Sequence, residues 1–472
     1  MVARGPLASM DVDKRISMAR YEYSRCREAH EKFNAFITIR DMDEVLDEVS
    51  SSEGPLSGFL FPVKDNIAVA GLPNTCASAI LDGYISPYDA HVVEVIKKHG
   101  GVVVGKTNMD EFAMGSSGET SHYGPTLNPW DRERVPGGSS SGSAVVVAWG
   151  SHVALGSDTG GSVRLPAAYT HVLGLKPTYG TLSRYGLVSY ADSLEQIGLF
   201  TRYSLDMAYI LYYLMEYDAR DMTMYYGSRR DEVRNQLQRI IDGEGLELDD
   251  VSIAYSSQLI DLCDALVSNM VYKVLDRLES LGFKTVDIDM GFVYPCLSIY
   301  YIIAMVEASS NLARYSGENY GMRIDAGSYW DAVTYTRSRG FGDEVKRRII
   351  MGTYASSKGY EGRYYLRALK GRRWVKENLN RILREHRFIL LPASPRLPPR
   401  LGEAVGPKGY VLDIFTVIPN LAGNPAITIP AGLVDGLPTG IQLIGRFYSD
   451  AELIWMSSIL EGAVYDPGLQ PG

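Results

Sequence analysis

The chain has 472 residues, 46% hydrophobic and 22% charged, with a formal net charge of −9 and a pI near 5.4. That is ordinary globular composition with enough apolar material for a sizeable core, and it excludes general disorder. An acidic chain is also a poor candidate for gripping phosphate backbones over a broad surface by itself, although a local basic patch or a basic partner remains compatible with it. Residues 1–50 read as charged and helical, with Ile16, Ala19 and Tyr23 on one stripe and no apolar signal core at the start. Phe59–Val63 and Ile67–Val69 read as two strands around the polar insertion Lys64-Asp65-Asn66. Asp89 is placed to cap a helix through Val92, Val93, Val95 and Ile96, which Gly100-Gly101 stop, and Val102–Val104 follow as a buried strand. Strand, helix, strand at this spacing predicts an α/β fold with some parallel pairing.

Residues 115–190 are dense in Gly, Ser, Thr and Pro yet carry apolar runs, so they are not a simple linker. Gly137 to Gly142 lead into a buried helix, Ser143–Trp149, whose N-terminus we expect Ser140, Ser141 and Ser143 to cap. A second glycine turn, Gly156 to Ser162, follows. From about 203 to 390 the pattern is largely helical, with amphipathic segments at 203–216 and 264–281 and an acidic connector at 240–250. Val251–Tyr255 and Thr285–Ile288 flank the second of these helices as strands. Phe388–Leu391, Ala426–Pro430 and Gly440–Ile444 read as closing strands, with a last helix near 451–461. There is no run of about 18 apolar residues, so no membrane association is expected. Four cysteines lie far apart and seven histidines form no HExxH pair. We therefore expect no metal site, core packing for the thiols and a cytoplasmic location.

Three features bear on chemistry: Lys64 between apolar segments, Ser139 after two glycines, and Ser162 after two more. Each alone is weak, since a lysine near apolar residues usually snorkels and a Gly/Ser turn is usually only a turn. Their combination, the run Gly137–Pro166 (GGSSSGSAVVVAWGSHVALGSDTGGSVRLP) with an upstream PVKDN, resembles the amidase signature family. The resemblance implies an α/β fold, a mixed central β-sheet covered by helices on both faces, as a single domain over 1–472. Within it, a helical section spans about 1–50, the signature core about 55–202, a largely helical section about 203–390, and closing strands with the last helix about 391–472. It also implies roles. Ser162 is the nucleophile, Ser139 takes its proton, and a neutral Lys64 takes the proton from Ser139, a variant of triad logic. Lys64 must be desolvated to be neutral, which its apolar flanks favour. The family has a cis peptide bond before the serine matching Ser139, and an oxyanion hole from the N–H groups matching Thr159, Gly160, Gly161 and Ser162. We read Asp158 and Arg164 as holding the turn, and His152 and His171 as ordinary packing. The stretch around Gly150 to Ala154 is one residue shorter than the family pattern.

Further segments narrow the resemblance: Asn108–Ser117, Gly124–Trp130, Gly174–Gly180, Glu307–Tyr315, Gly340–Ile349 and Asn420–Pro430. They look like the branch of the family that supplies ammonia to tRNA-dependent amidotransferases. The branch implies hydrolysis of glutamine to glutamate and ammonia through an acyl-enzyme. Partner subunits B and C complete the complex, and a partner amidates Glu-tRNA(Gln) or Asp-tRNA(Asn). The mischarged tRNA is contacted mainly through that partner, which also uses ATP and Mg2+; no cofactor is expected in this chain. Glutamine recognition would add Tyr300, Arg348 (with Arg347 as its ambiguous neighbour) and Asp413: a guanidinium suits an α-carboxylate, and a carboxylate suits an α-ammonium. The bland readings are core packing for Tyr300 and a solvated helix face for the arginines. The nearest rival is a stand-alone amidase acting on other small amides. A non-enzymatic phosphate-binding module is a different class, and it lacks a GxxxxGK(S/T) loop.

Overall fold

The structure, a computed structural model, describes residues 11–225, 227–248, 251–359 and 362–472. Its strands are β1 (Phe36–Ile39), β2 (Leu60–Lys64), β3 (Val102–Thr107), β4 (Val153–Asp158), β5 (Leu173–Lys176), β6 (Gln196–Thr201), β7 (Ser252–Tyr255), β8 (Lys284–Asp287), β9 (Phe388–Pro392), β10 (Ala426–Val434) and β11 (Leu437–Ile444). The helices are α1 (Val12–Phe33), α2 (Met42–Ser51), α3 (His91–Lys98), α4 (Ser141–Trp149), α5 (Arg164–Thr170), α6 (Ser204–Leu214), α7 (Ser228–Ile241), α8 (Ser257–Ile260), α9 (Ala265–Ser280), α10 (Cys296–Asn311), α11 (Tyr329–Gly340), α12 (Asp343–Ser356), α13 (Tyr365–Glu385), α14 (Val417–Ala422) and α15 (Asp450–Leu460).

All eleven strands join one sheet, in the order β1-β3-β2-β4-β6-β5-β10-β11-β9-β7-β8. Pairing is mixed: β2 runs parallel to β3 and β4, and β7 to β8 and β9, while the central ladders from β4 through β6, β5, β10 and β11 to β9 are antiparallel. The period of two divides the strands between two faces. Val153 and Leu155 of β4 pack with α3, α6, α9 and α15, as do Phe388 and Leu390 of β9. Ala154 turns to the other face, under α1 and α4, and Ile389 and Leu391 turn to it under α10, α12, α13 and α14. The expected helix-covered mixed sheet is what the chain forms.

Local rules explain the edges. Asp11 caps α1 by accepting from the Lys14 N–H at 2.8 Å, and Ala19, Tyr23, Cys26, Ala29 and Phe33 form its buried stripe. Three expectations fail. Ile67–Val69 is not a strand; it makes a lone bridge, Ile67 to Leu187, because the chain turns at Lys64 to reach the site. Ala90, not Asp89, is the N-cap of α3; the Asp89 carboxylate instead accepts from the Ala70 N–H at 2.7 Å and pairs with Lys97. The serines at the start of α4 do not cap it. Ser140 and Ser143 donate to the carbonyls of Ser157 and Leu155, and Ser141 to the Thr126 hydroxyl, because α4 lies buried against β4. Of the acidic connector, residues 249–250 lie outside the described residues, as do residues 1–10 of the N-terminal section. The segment Gly291–Arg314 has the length and composition of a membrane span. It is more than half buried, and α10 within it packs on α12, α13 and α14.

Candidate functional site

Lys64 ends β2 and Asp158 ends β4, and these strands run parallel, so both residues emerge at the same edge of the sheet. That edge is where open α/β sheets place their ligand crevices. The second glycine turn follows Asp158 directly. Ser140 N–H donates to the Ser162 carbonyl at 3.1 Å, which binds the first glycine turn to the second.

Lys64 is fully buried. Its Nζ lies 2.7 Å from Ser139 Oγ, 2.9 Å from Ser157 Oγ and 3.3 Å from the Ser157 carbonyl. Burial brings its pKa down to about 7, against the pull of Asp110 and Asp158. A neutral amine has two N–H groups, which Ser157 can accept, and one lone pair, which the Ser139 hydroxyl can donate to. The Gly138–Ser139 peptide bond is cis. A Cβ on Gly138 would lie 1.9 Å from Asp110 Oδ2 and under 3.0 Å from two backbone nitrogens, so only glycine fits there.

The turn around Ser162 is held by one buried ion pair. Arg164 Nε and Nη2 donate to the two Asp158 oxygens at 3.0 and 2.8 Å, and its remaining donors meet Asn420 and Gln442. Burial alone would raise the Asp158 pKa, but Arg164, Lys176 and Asn420 outweigh it and bring it to about 2. Gly161 departs from the oxyanion expectation: its N–H donates to Asp158 Oδ1 at 3.0 Å and so belongs to the turn. Among the described residues, the N–H groups of Thr159, Gly160 and Ser162 meet no protein acceptor. Ser162 is 7% exposed, and no hydrogen bond joins it to Ser139 among the described residues. Lys64 is thus bonded to Ser139, while the two serine turns meet through the backbone bond from Ser140 N–H to the Ser162 carbonyl.

Tyr300 on α10 closes over this turn: a Cβ on Gly160 would lie 2.4 Å from its hydroxyl. Beside it lies a polar cluster. Arg348 on α12 is 3% exposed, with Nε donating to Glu344 Oε1 at 2.8 Å and Nη1 to the Tyr190 hydroxyl at 2.6 Å. The rings of Tyr190, Tyr301 and Tyr410 lie 5.6, 5.3 and 5.3 Å from its guanidinium carbon. Arg347 points outward; its side chain is 42% exposed and pairs with Glu344. Of the two arginines, then, it is Arg348 that faces the cluster. Asp413 is buried, and its Oδ2 accepts from Ser116 at 2.7 Å and Tyr301 at 2.9 Å. Burial raises its pKa to about 7, against the hydrogen bonds from Ser116 and Tyr301 and the charge of Arg348. A small cavity lined in part by Ser116, Ser117, Glu344, Arg348 and Tyr410 adjoins this cluster.

Lys64, Ser139 and Ser162 therefore share one edge of the sheet, while Tyr300 joins their turn to the cluster of Arg348 and Asp413. His152 and His171 are packed elsewhere, beside Asp206 and Trp130 respectively. Sequence reasoning missed Ser157, Ser116, Tyr190 and Glu344. Glu344 alone left a signal: it precedes Arg348 by four residues, the spacing that pairs charges on a helix face.

The amidase family profile matches residues 18–454. The chain is 45% identical over 461 residues to the A subunit of the glutamyl-tRNA(Gln) amidotransferase from Sulfurisphaera tokodaii, covering 96% of this chain and 95% of that protein. It is 46% identical over 431 residues to the protein of the same name from Methanosarcina acetivorans, covering 90% and 88%. The crystal structure of the A subunit of the Thermotoga maritima glutamyl-tRNA(Gln) amidotransferase superposes with a TM-score of 0.78 at 35% identity, over 98% of each chain. A 6-aminohexanoate cyclic dimer hydrolase superposes with a TM-score of 0.82 at 24% identity, over 97% of this chain and 95% of that one, a likeness that shows the fold alone.

Proposed function

The chain belongs to the amidase family, and on that premise we propose that it is the glutaminase of a tRNA-dependent amidotransferase. The observation that carries the chemistry is the buried Lys64 amine, held near a pKa of 7 and bonded to Ser139 beside the Ser162 turn. An ordinary lysine is charged at neutral pH and accepts no proton; burial brings this one down to where its neutral, proton-accepting form is reached near neutral pH. In the proposed cycle Ser162 Oγ attacks the carboxamide carbon of glutamine. Its proton passes to Ser139, whose own proton passes to Lys64. The N–H groups of Thr159, Gly160 and Ser162 receive the oxyanion. The C–N bond breaks, the proton returns to the leaving nitrogen as ammonia, and water releases glutamate from the acyl-enzyme. Arg348 Nη2 and the free oxygen of Asp413 would take the α-carboxylate and the α-ammonium.

The amidase component of such an enzyme works with partners, and we propose subunits B and C. The ammonia passes to the partner that amidates Glu-tRNA(Gln) or Asp-tRNA(Asn), with ATP and Mg2+ acting there and not on this chain. The free and mainly buried cysteines fit a reducing cytoplasm. The test is glutamine hydrolysis with and without partner subunits and mischarged tRNA. Stimulation by both supports the reading. Efficient turnover of unrelated small amides with no stimulation would instead establish a stand-alone amidase.

A further inference from the structure

One short segment reaches three parts of the site: Ser139, Asp413 and the start of α12. Asp110 accepts from the Gly118 and Thr120 N–H groups, and its own N–H donates to the Ser139 carbonyl at 3.1 Å. Ser116 donates to Asp413. Between them Glu111 reaches a third element: both its oxygens accept from the Gly342 N–H, at 3.1 and 2.9 Å, and it accepts from the Ser78 hydroxyl. Gly342 is the N-cap of α12, the helix that carries Arg348. A helix start leaves N–H groups without intrahelical partners, and α12 has no side-chain cap of its own. Glu111 supplies one from 231 residues away in the chain. The fit is close, since a Cβ on Gly342 would lie 2.3 Å from Glu111 Oε2.

The backbone that presents Glu111 is held in an unusual shape. Phe112 and Ala113 have φ of 50° and 60°, the left-handed region that non-glycine residues rarely occupy. Phe112 N–H donates to the Cys76 carbonyl at 2.9 Å, and Cys76 and Ala77 are themselves left-handed, at 52° and 55°. Four such residues in two packed turns are a local cost that surrounding contacts must maintain, and such costs cluster at functional sites. Here the turn aims Asp110 at the Ser139 side and Glu111 at α12.

We propose that Glu111 is a positioning residue for substrate recognition: by fixing the start of α12 it sets Arg348 at the distance from Ser162 that glutamine requires. The inference rests on the assignment of Arg348 to the α-carboxylate and adds what holds it there. Glu111 touches no reacting atom, so its effect belongs to KM for a substrate that uses Arg348.

The experiment measures kcat and KM for glutamine beside a simple aliphatic amide, in the full-length chain with its partners. The variants are Glu111→Ala, Glu111→Gln, Arg348→Ala and the double variant Glu111→Ala with Arg348→Ala. Loss of a helix cap of this kind predicts a roughly two- to thirtyfold rise in glutamine KM for Glu111→Ala. The loss on the aliphatic amide should be far smaller. Glu111→Gln keeps an acceptor at nearly the same place and should recover most of the loss, which also supplies a reading if the alanine variant folds poorly. The double variant should be no worse on glutamine than Arg348→Ala alone, because residues acting through one another do not add. Additive losses, or equal losses on both substrates in the Glu111 variants, would overturn the inference while leaving Arg348 in place. An Arg348→Ala enzyme that loses both substrates equally would overturn the glutamine assignment, and this inference with it.

Discussion

Lys64 and Asp413 reach similar pKa values from opposite directions. Burial lowers the amine from 10.5 to about 7 and raises the carboxyl from 3.8 to about 7. In the proposed roles the amine must be neutral and the carboxylate charged, so both become competent as pH rises through about 7. For glutamine, log kcat/KM should fall with a slope approaching two protons per pH unit below that point. An aliphatic amide without an α-ammonium needs only Lys64, and its slope should approach one. Parallel pH profiles for the two substrates would refute the role of Asp413. Asp413→Asn should raise the glutamine KM roughly ten- to a hundredfold, the ~1.5–3 kcal/mol of a charge-assisted hydrogen bond, and should reduce the glutamine slope to one. Lys64→Arg should be inactive, because a guanidinium keeps its proton in proteins. A turning-over Lys64→Arg enzyme would make Lys64 a strut and not a base.

At the scale of elements, the glycine turns and α12 do the positioning, and they differ in how far the sequence discloses them. The turns are legible because glycines mark close approach: Gly138 admits Asp110 and Gly160 admits Tyr300, contacts that a Cβ would forbid. Asp158 and Arg164, six residues apart, are legible as a pair for the same local reason. Ser157, Ser116 and Tyr190 were not, because their partners lie 93, 297 and 158 residues away, and no local pattern encodes such distances. Strands β1, β4, β5 and β6 were also missed, β4 and β5 because they sit in the Gly- and Ser-rich stretch 115–190, whose composition masks short buried strands. The Asp158–Arg164 pair yields an element-level prediction. Arg164→Met leaves a buried carboxylate without its partner, which should cost about 3–5 kcal/mol and show as a large drop in Tm. Arg347→Ala, on the exposed face of α12, should shift Tm and glutamine KM little. A comparable KM effect from Arg347→Ala would place the carboxylate site on the wrong side of the helix.

Across the whole molecule, a single sheet carries both Lys64 and the Ser162 turn at one edge, and helices from the later half of the chain close over that edge with Tyr300 and Arg348. The parallel pairing of β2 with β4 is what makes this possible, since antiparallel neighbours would send Lys64 and Asp158 to opposite ends. The proposed chemistry is thus confined to one place, and on that proposal the released ammonia leaves this chain to be used elsewhere. That separation gives the last prediction. Ser162→Ala removes one hydroxyl from a turn whose hold is Asp158, Arg164 and Asn420, so the fold and the assembly should persist with Tm near that of the parent. Glutamine hydrolysis should collapse, by roughly 10⁶-fold if loss of the nucleophile behaves as in a triad hydrolase. Ammonium chloride supplied to the assembled complex should nonetheless restore amidation of mischarged tRNA to near the parent rate, because the acceptor reaction is proposed to sit on the partner. Residual glutaminase activity near the parent level would mean that another residue is the nucleophile. Failure of ammonia to rescue a complex that still assembles would mean that Ser162, or the turn it occupies, also serves the acceptor reaction, and the division of labour between subunits would have to be redrawn.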